Sequence, residues 1–213
     1  MREQVIKIIE ETKIIAIIRG AETSQAIESA KALYAGGIKL VEVTFNQKNP
    51  STFIDTVNSI KAIKDACPEM TVGAGTVLTV EQVDLAKSAG AEYIVSPDTD
   101  EQVIKHTVNS GLVSLPGAYT ASEVKKAHNA GADFVKLFPC TDAGYLKALK
   151  APLSHVKFLA VGGVNTENAK NFLDAGAVGL GLGGSLVNKK WIDSGEYEKI
   201  TQTAKKLVEI VNG

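Results

Sequence analysis

Lys136 stands in Asp133-Phe134-Val135-Lys136-Leu137-Phe138-Pro139, an apolar, strand-like run in which a charged residue needs either a path to solvent or a chemical task. Unpaired burial of an ammonium is costly, so such a lysine drops its pKa and becomes the neutral amine that attacks carbonyls. Glu42 holds the matching position in a second such run, Leu40-Val41-Glu42-Val43-Thr44. The two residue types suit imine chemistry. The amine condenses with a ketone to make an electron sink, while the carboxylate moves protons to and from the carbinolamine, the enamine and a substrate hydroxyl. A buried structural ion pair is the competing explanation, although ion pairs stabilise cores inefficiently.

The elements that must position these residues form a regular series. Short β-branched runs at Ile14-Ile18, Leu40-Thr44, Thr71-Gly75, Tyr93-Ser96, Leu112-Pro116, Phe134-Leu137, Lys157-Val161 and Gly179-Leu182 alternate with amphipathic helical segments. Helix starts are marked by Thr23-Ser24, Thr79, Thr120 and Asn165-Thr166, and stops by Ala-Gly-Gly or Ala-Gly-Ala ending in Gly37, Ala91, Ala132 and Ala177. The recurrence of one helix stop predicts a (β/α)8 TIM barrel over residues 1–213 as a single domain, with an additional N-terminal helix. An open doubly wound sheet is disfavoured, because Arg19-Gly20-Ala21-Glu22-Thr23 after the first strand lacks the later glycines of a dinucleotide turn.

In a parallel barrel the active site lies at the carboxyl ends of the strands. Those ends carry Arg19, Glu42 with Thr44, Thr76, Pro97, Lys136 with Phe138, Gly162-Gly163, and Gly183-Gly184-Ser185. If Val41, Val43, Val135 and Leu137 face the helices, then Glu42, Thr44, Lys136 and Phe138 face the interior. Glycine pairs after the seventh and eighth strands are where barrels hold phosphate on backbone N–H groups and a short helix N-terminus, with Ser185 as an added hydroxyl donor. Tight turns are the alternative use of those glycines.

The bulk properties fit one soluble globular protein. The chain has 213 residues, 45% hydrophobic and 22% charged, with a net charge of -1, which offers no general attraction for nucleic acid or an anionic membrane. The opening segment Val5-Glu10 is too short and too charged for a signal or a span, so a cytoplasmic protein is expected. Cys67 and Cys140 form no close-spaced pattern, and His106, His128 and His155 show no metal spacing, so no metal or other cofactor is expected.

On Val41-Glu42-Val43-Thr44, Val72-Gly73-Ala74-Gly75-Thr76-Val77, Ile94-Val95-Ser96-Pro97, Leu115-Pro116-Gly117, Val135-Lys136-Leu137-Phe138-Pro139, Val161-Gly162-Gly163-Val164 and Gly183-Gly184-Ser185, the chain resembles the 2-keto-3-deoxy-6-phosphogluconate (KDPG) and 4-hydroxy-2-oxoglutarate (KHG) aldolases. The resemblance runs along essentially the whole chain. It implies a class I aldolase that reversibly releases pyruvate and an aldehyde through a lysine Schiff base, without a metal. By position, Lys136 is the imine lysine, Glu42 the acid/base, and Thr76 a ligand of the pyruvate carboxylate. Gly162, Gly163, Gly184 and Ser185 match the phosphate-binding segments, and Phe138 and Pro139 the wall beside the imine. A homotrimer in the Entner-Doudoroff pathway is implied in the same way.

Two places depart from the common pattern: the loop Cys140-Thr141-Asp142, where Ala-Glu is often found and to which no role is attached, and a position that matters more. Many relatives carry arginine four residues after the glutamate, where this chain has Asn46, as the aldolases of the galactonate epimer do. Asparagine supplies no full charge, so Arg19 is the best cationic candidate for the carboxylate. Two other functions fit the same residues: a phosphate-binding barrel isomerase or synthase using Glu42 as base, and a non-catalytic sugar-phosphate-binding barrel.

Overall fold

The computed structural model describes residues 2–213. In chain order the elements are α1 (Arg2–Thr12), β1 (Ile14–Ile18), α2 (Thr23–Ala35), β2 (Leu40–Thr44), a 3-10 turn (Pro50–Thr52), α3 (Phe53–Ala66), β3 (Thr71–Gly75), α4 (Val80–Ser88) and β4 (Tyr93–Val95). They continue with α5 (Glu101–Asn109), β5 (Val113–Leu115), β6 (Gly117–Ala118), α6 (Ala121–Asn129), β7 (Val135–Leu137), α7 (Ala143–Lys150), β8 (Phe158–Val161), α8 (Ala169–Asp174), β9 (Gly179–Leu182), α9 (Lys189–Asp193) and α10 (Tyr197–Asn212).

All strand pairs are parallel, in the order β5-β4-β3-β2-β1-β9-β8-β7-β6. The two ends of that order are one strand in sequence. The run expected as a single fifth strand, Leu112-Pro116, is divided at Pro116: β5 before it pairs with β4, and β6 after it pairs with β7. Proline has no N–H for the ladder, but its carbonyl still accepts from the Lys136 N–H at 2.9 Å. The barrel therefore closes across Pro116, and the (β/α)8 expectation holds with strand five in two pieces.

Residue parity splits the core in two. Ala16, Val41, Val43, Val72, Val135 and Leu137 pack against the helices, whereas Ile15, Leu40, Tyr93, Val113, Phe134 and Leu159 fill the interior. Val5 and Ile9 of α1 join the interior cluster, so the additional N-terminal helix stops the amino-terminal end of the barrel. Its seating is reinforced by Arg2 to Asp133 at 2.7 Å and Glu10 to Lys157 at 2.6 Å.

The helix signals read as expected at most boundaries. Thr79 and Thr120 cap α4 and α6 through their side-chain oxygens, and Thr120 forms a capping box with Glu123. Gly37, Gly90, Gly131 and Gly176 each adopt a left-handed φ of +89° to +103°, which makes the repeated stop a backbone requirement. α2 and α8 differ: Thr23 is the first residue of α2, with Glu22 before it as the cap, paired with Gln25, and α8 begins only at Ala169 after Asn168, beyond the Asn165-Thr166 signal.

Candidate active site

Glu42 and Lys136 are both enclosed in the barrel interior, 2% and 5% exposed. Their strands force this, since the valines and leucine on either side of each take the helix-facing positions. Burial lowers the pKa of Lys136 most, and the charge of Arg19 lowers it further, against the opposing pull of Glu42. Burial raises the pKa of Glu42, against the lowering effects of Lys136 and Arg19. Each group is thus displaced toward its neutral form, and the two make no direct ion pair. Between them is a small cavity of about 10 Å³, lined by both residues together with Val95, Leu115 and Leu159. It is on the scale of one water molecule.

Two glycines of β3 create this arrangement. Gly73 pairs with Glu42 on one side and with Tyr93 on the other. A Cβ at Gly73 would overlap the Tyr93 ring, and one at Gly75 would come within 2.5 Å of Glu42 Oε1. Gly-Ala-Gly thus leaves the inward face of β3 empty so that side chains from both neighbouring strands can cross it.

Above this floor opens a cavity of about 690 Å³. It brings together Lys136, Arg19, Thr76, Pro97, Phe138, Gly162, Gly163, Gly184 and Ser185. Phe138 is partly exposed, and the Lys136 Nζ lies 4.8 Å from its ring centroid. Thr44 and Asn46 do not line this space. They line a neighbouring cavity of about 500 Å³ that shares Arg19 and Thr76 with it. The chain turns after Phe45, so strand parity does not carry as far as Asn46, whose Oδ1 accepts from the Lys48 N–H at 3.2 Å.

Thr76 has a φ of +55°, a costly conformation for a β-branched residue. Its surroundings hold it there. Gln47 Nε2 donates to the Thr76 carbonyl at 2.6 Å, and Gln82 Nε2 donates to Gln47 Oε1 at 3.1 Å. The Leu78 N–H in turn donates to Gln82 Oε1 at 2.7 Å. Arg19 Nη2 donates to Thr76 Oγ1 at 3.1 Å, so the threonine keeps its own O–H as a donor. Sequence reasoning missed Gln47 and Gln82, because polar residues beyond strand ends read as ordinary loop and helix surface; Gln82 is in fact buried.

The glycine pairs are of two kinds. Gly162 and Gly163 have φ of +99° and +75°, so their backbone favours glycine on its own account. Gly184 has no such conformation, and nothing lies within 4 Å of where its Cβ would be. The N–H groups of Gly163, Gly184 and Ser185 donate to no acceptor among the described residues. The Ser185 hydroxyl differs from expectation: it donates to the Val164 carbonyl at 2.7 Å, which leaves the backbone as the donor surface. No helix starts there either; the segment is a turn closed by the Leu186 and Val187 N–H groups on Gly183 O, and α9 begins at Lys189.

Other titratable groups lie apart. The buried Cys140 thiol is pushed by burial to about 11 and stays protonated. His106 pairs with Asp84 at 2.7 Å, and His128 and His155 pack edge to face, with ring centroids 4.8 Å apart. No group of three or more His, Cys, Asp or Glu side chains among the described residues is arranged to hold a metal. No helix among them is long and apolar enough to cross a membrane.

An enclosed amine whose burial favours its nucleophilic form, one small void from a buried carboxyl, has the makings of a Schiff-base site in a parallel barrel. Comparison with known proteins gives the same class, a carbon-carbon lyase of class I type. The chain belongs to the KDPG and KHG aldolase family, whose profile matches residues 5–203. It is 40% identical over 177 residues to the 2-dehydro-3-deoxy-6-phosphogalactonate aldolase of Escherichia coli (strain K12), covering 81% of this chain and 83% of that one. With the 2-dehydro-3-deoxy-phosphogluconate aldolase of Treponema pallidum it shares 32% over 211 residues, 97% of each chain. The structure of KDPG aldolase from Legionella pneumophila, with pyruvate captured as a covalent carbinolamine, superposes with a TM-score of 0.83 at 26% identity, covering 95% of this chain and 97% of that one.

Proposed function

We propose that this aldolase cleaves a phosphorylated 2-keto-3-deoxy sugar acid to pyruvate and glyceraldehyde 3-phosphate, with Lys136 as the imine lysine and Glu42 as the acid/base. The observation that carries the reading is the joint burial of these two groups beneath a cavity edged by unpaired N–H donors. Neutral Nζ adds to the C2 carbonyl, and loss of water from the carbinolamine gives the iminium. Glu42 takes the proton from the C4 hydroxyl. The C3–C4 bond then breaks with its electron pair entering the iminium, which leaves an enamine and the free aldehyde. Protonation of the enamine at C3, followed by hydrolysis, returns pyruvate and the amine. No step requires a metal or other cofactor.

In this reading Thr76 and Arg19 hold the substrate carboxylate, and Phe138 and Pro97 wall the imine. The N–H groups around Gly163, Gly184 and Ser185, with Gly162 shaping the turn, receive the phosphate. Thr44 and Asn46 act from the neighbouring cavity on the groups beside Arg19. The galactonate epimer is favoured over the gluconate by Asn46 and by the higher identity to the galactonate enzyme. Residues 1–213 serve as one barrel unit of a cytoplasmic homotrimer in sugar-acid breakdown of the Entner-Doudoroff type, in keeping with the family resemblance.

Borohydride reduction with pyruvate tests the assignment. A peptide carrying the reduced pyruvate adduct at Lys136 is expected, and an unmodified Lys136 under turnover conditions would sink it. The specificity constants for the two phosphorylated epimers and for 4-hydroxy-2-oxoglutarate then decide the substrate.

A further inference from the structure

Tyr93 is fully enclosed in the barrel interior, and its hydroxyl has no hydrogen-bond partner in the protein. Such an orphan is uncommon, because burying a phenol O–H without an acceptor forfeits its hydration. The Tyr93 ring lies over Gly73, the β3 residue that also pairs with Glu42. Tyr93 leans across β3 from β4 at the level of Gly73, and Glu42 leans across the same strand from β2 at the level of Gly75. These levels are one inward-facing step apart, about 7 Å along a strand. The side chains that would separate them are missing, since both positions are glycine. Burial, and then the charge of Glu42, hold the phenol well above its ordinary range. Tyr93 therefore keeps its proton at any working pH and remains a donor.

We infer that Tyr93 is a positioning residue for the acid/base chemistry: its O–H, free of any other acceptor, orients on the ionised Glu42 carboxylate and sets that group's proton affinity. The inference rests on the reading of Glu42 as the acid/base. The physical reason is that a hydroxyl dipole in a low-dielectric interior acts on a nearby charge far more strongly than it does in water. It favours the ionised form, which accepts the substrate proton, in a site where burial alone favours the neutral one. A purely apolar filler at this position would leave burial unopposed from the β4 side.

The test is Tyr93→Phe in the full chain, a change that keeps the ring and removes only the orphan oxygen. Three measurements separate the outcomes. The carboxyl titration of Glu42, followed by infrared difference spectroscopy and assigned with Glu42→Gln, is expected to move up by about half a pH unit or more, without any substrate present. The acid limb of kcat is expected to move to higher pH by the same amount, because the group that must be ionised now holds its proton more tightly; KM and the pyruvate adduct at Lys136 stay as they are. kcat is the useful parameter, since Lys136 is already committed to the imine in that complex. A Glu42 titration unchanged in Tyr93→Phe, with only the melting temperature altered, would overturn the inference and leave Tyr93 as packing. A shifted titration with an unmoved kcat profile would overturn Glu42 as the acid/base, and with it the catalytic consequence assigned to Tyr93.

Discussion

The carboxyl of Glu42 lies against the inward face of Gly75, where a Cβ would approach Oε1 to 2.5 Å. One missing methyl group on β3 thus fixes the position of the carboxyl on β2. Gly75→Ala is expected to push the carboxyl out of place while the rest of the barrel adapts, at a cost of roughly 1–3 kcal/mol in stability. Proton transfer should suffer more than folding does. A fall in kcat on the order of 10² is expected, with borohydride trapping of pyruvate on Lys136 retained, because the amine is untouched. Chemical denaturation and steady-state cleavage on the same preparation check both parts.

The amine itself should respond to its neighbours in opposite directions. Its pKa is lowered chiefly by burial and further by Arg19, and is raised by Glu42. Adduct formation needs the neutral form, so the trapping rate should fall as pH drops through the pKa of Lys136. Glu42→Gln removes the raising influence and is expected to carry that limb to lower pH. Arg19→Met removes a lowering influence and is expected to carry it to higher pH. Trapping rates measured across a pH series read both, and shifts of the same sign in the two variants would contradict the electrostatic account.

Much of this site is readable in the sequence because strand parity is a rigid rule inside a strand. Val41 and Val43, with Val135 and Leu137, occupy the helix-facing core and so force Glu42 and Lys136 inward. The rule fails where strands end. Asn46 follows a turn at Phe45 and lines the neighbouring cavity, and Ser185 spends its proton on the Val164 carbonyl. Pro116 reads as the end of a strand, and only the closed ladder shows it as the joint between β5 and β6. Tyr93 is hidden for a different reason. A tyrosine opening an apolar run is ordinary strand composition, and its orphan hydroxyl exists only once Gly73 has been placed beneath the ring.

Gly184 offers a contrast between a glycine kept for the proposed ligand and one kept for the backbone. Its Cβ would meet nothing within 4 Å and its φ is ordinary, so Gly184→Ala is expected to change stability by less than about 0.5 kcal/mol. The added methyl would stand at the cavity edge, among the N–H donors proposed to receive the phosphate. An increase of roughly tenfold or more in KM is expected for phosphorylated substrates, about the worth of one charge-assisted hydrogen bond, with no change for pyruvate alone. Gly162→Ala is the contrasting control. At φ +99° it should cost about 1–2 kcal/mol of stability whatever the ligand. Melting curves with KM values for the two variants check the contrast.

Gln47 lies outside the cavity that holds Lys136, yet it grips the backbone of Thr76, which is in it. The Thr76 carbonyl takes the Gln47 amide at 2.6 Å, and buried Gln82 fixes that amide through its own bond at 3.1 Å. Gln47→Leu removes the donor while filling similar space. The strained φ of +55° then loses one of its restraints, and a cost of about 1–2 kcal/mol is expected. Thr76 should relax toward an unstrained backbone and turn its hydroxyl away from Arg19, so weaker binding of the keto-acid carboxylate is the functional consequence. KM for pyruvate in the condensation direction is expected to rise severalfold with little change in kcat. Gln47→Glu, which retains the size of the side chain but sets an acceptor against the Thr76 carbonyl, should be worse than leucine. If Gln47 serves only to fill space, the two variants should instead reverse that order, with glutamate closer to the parent chain.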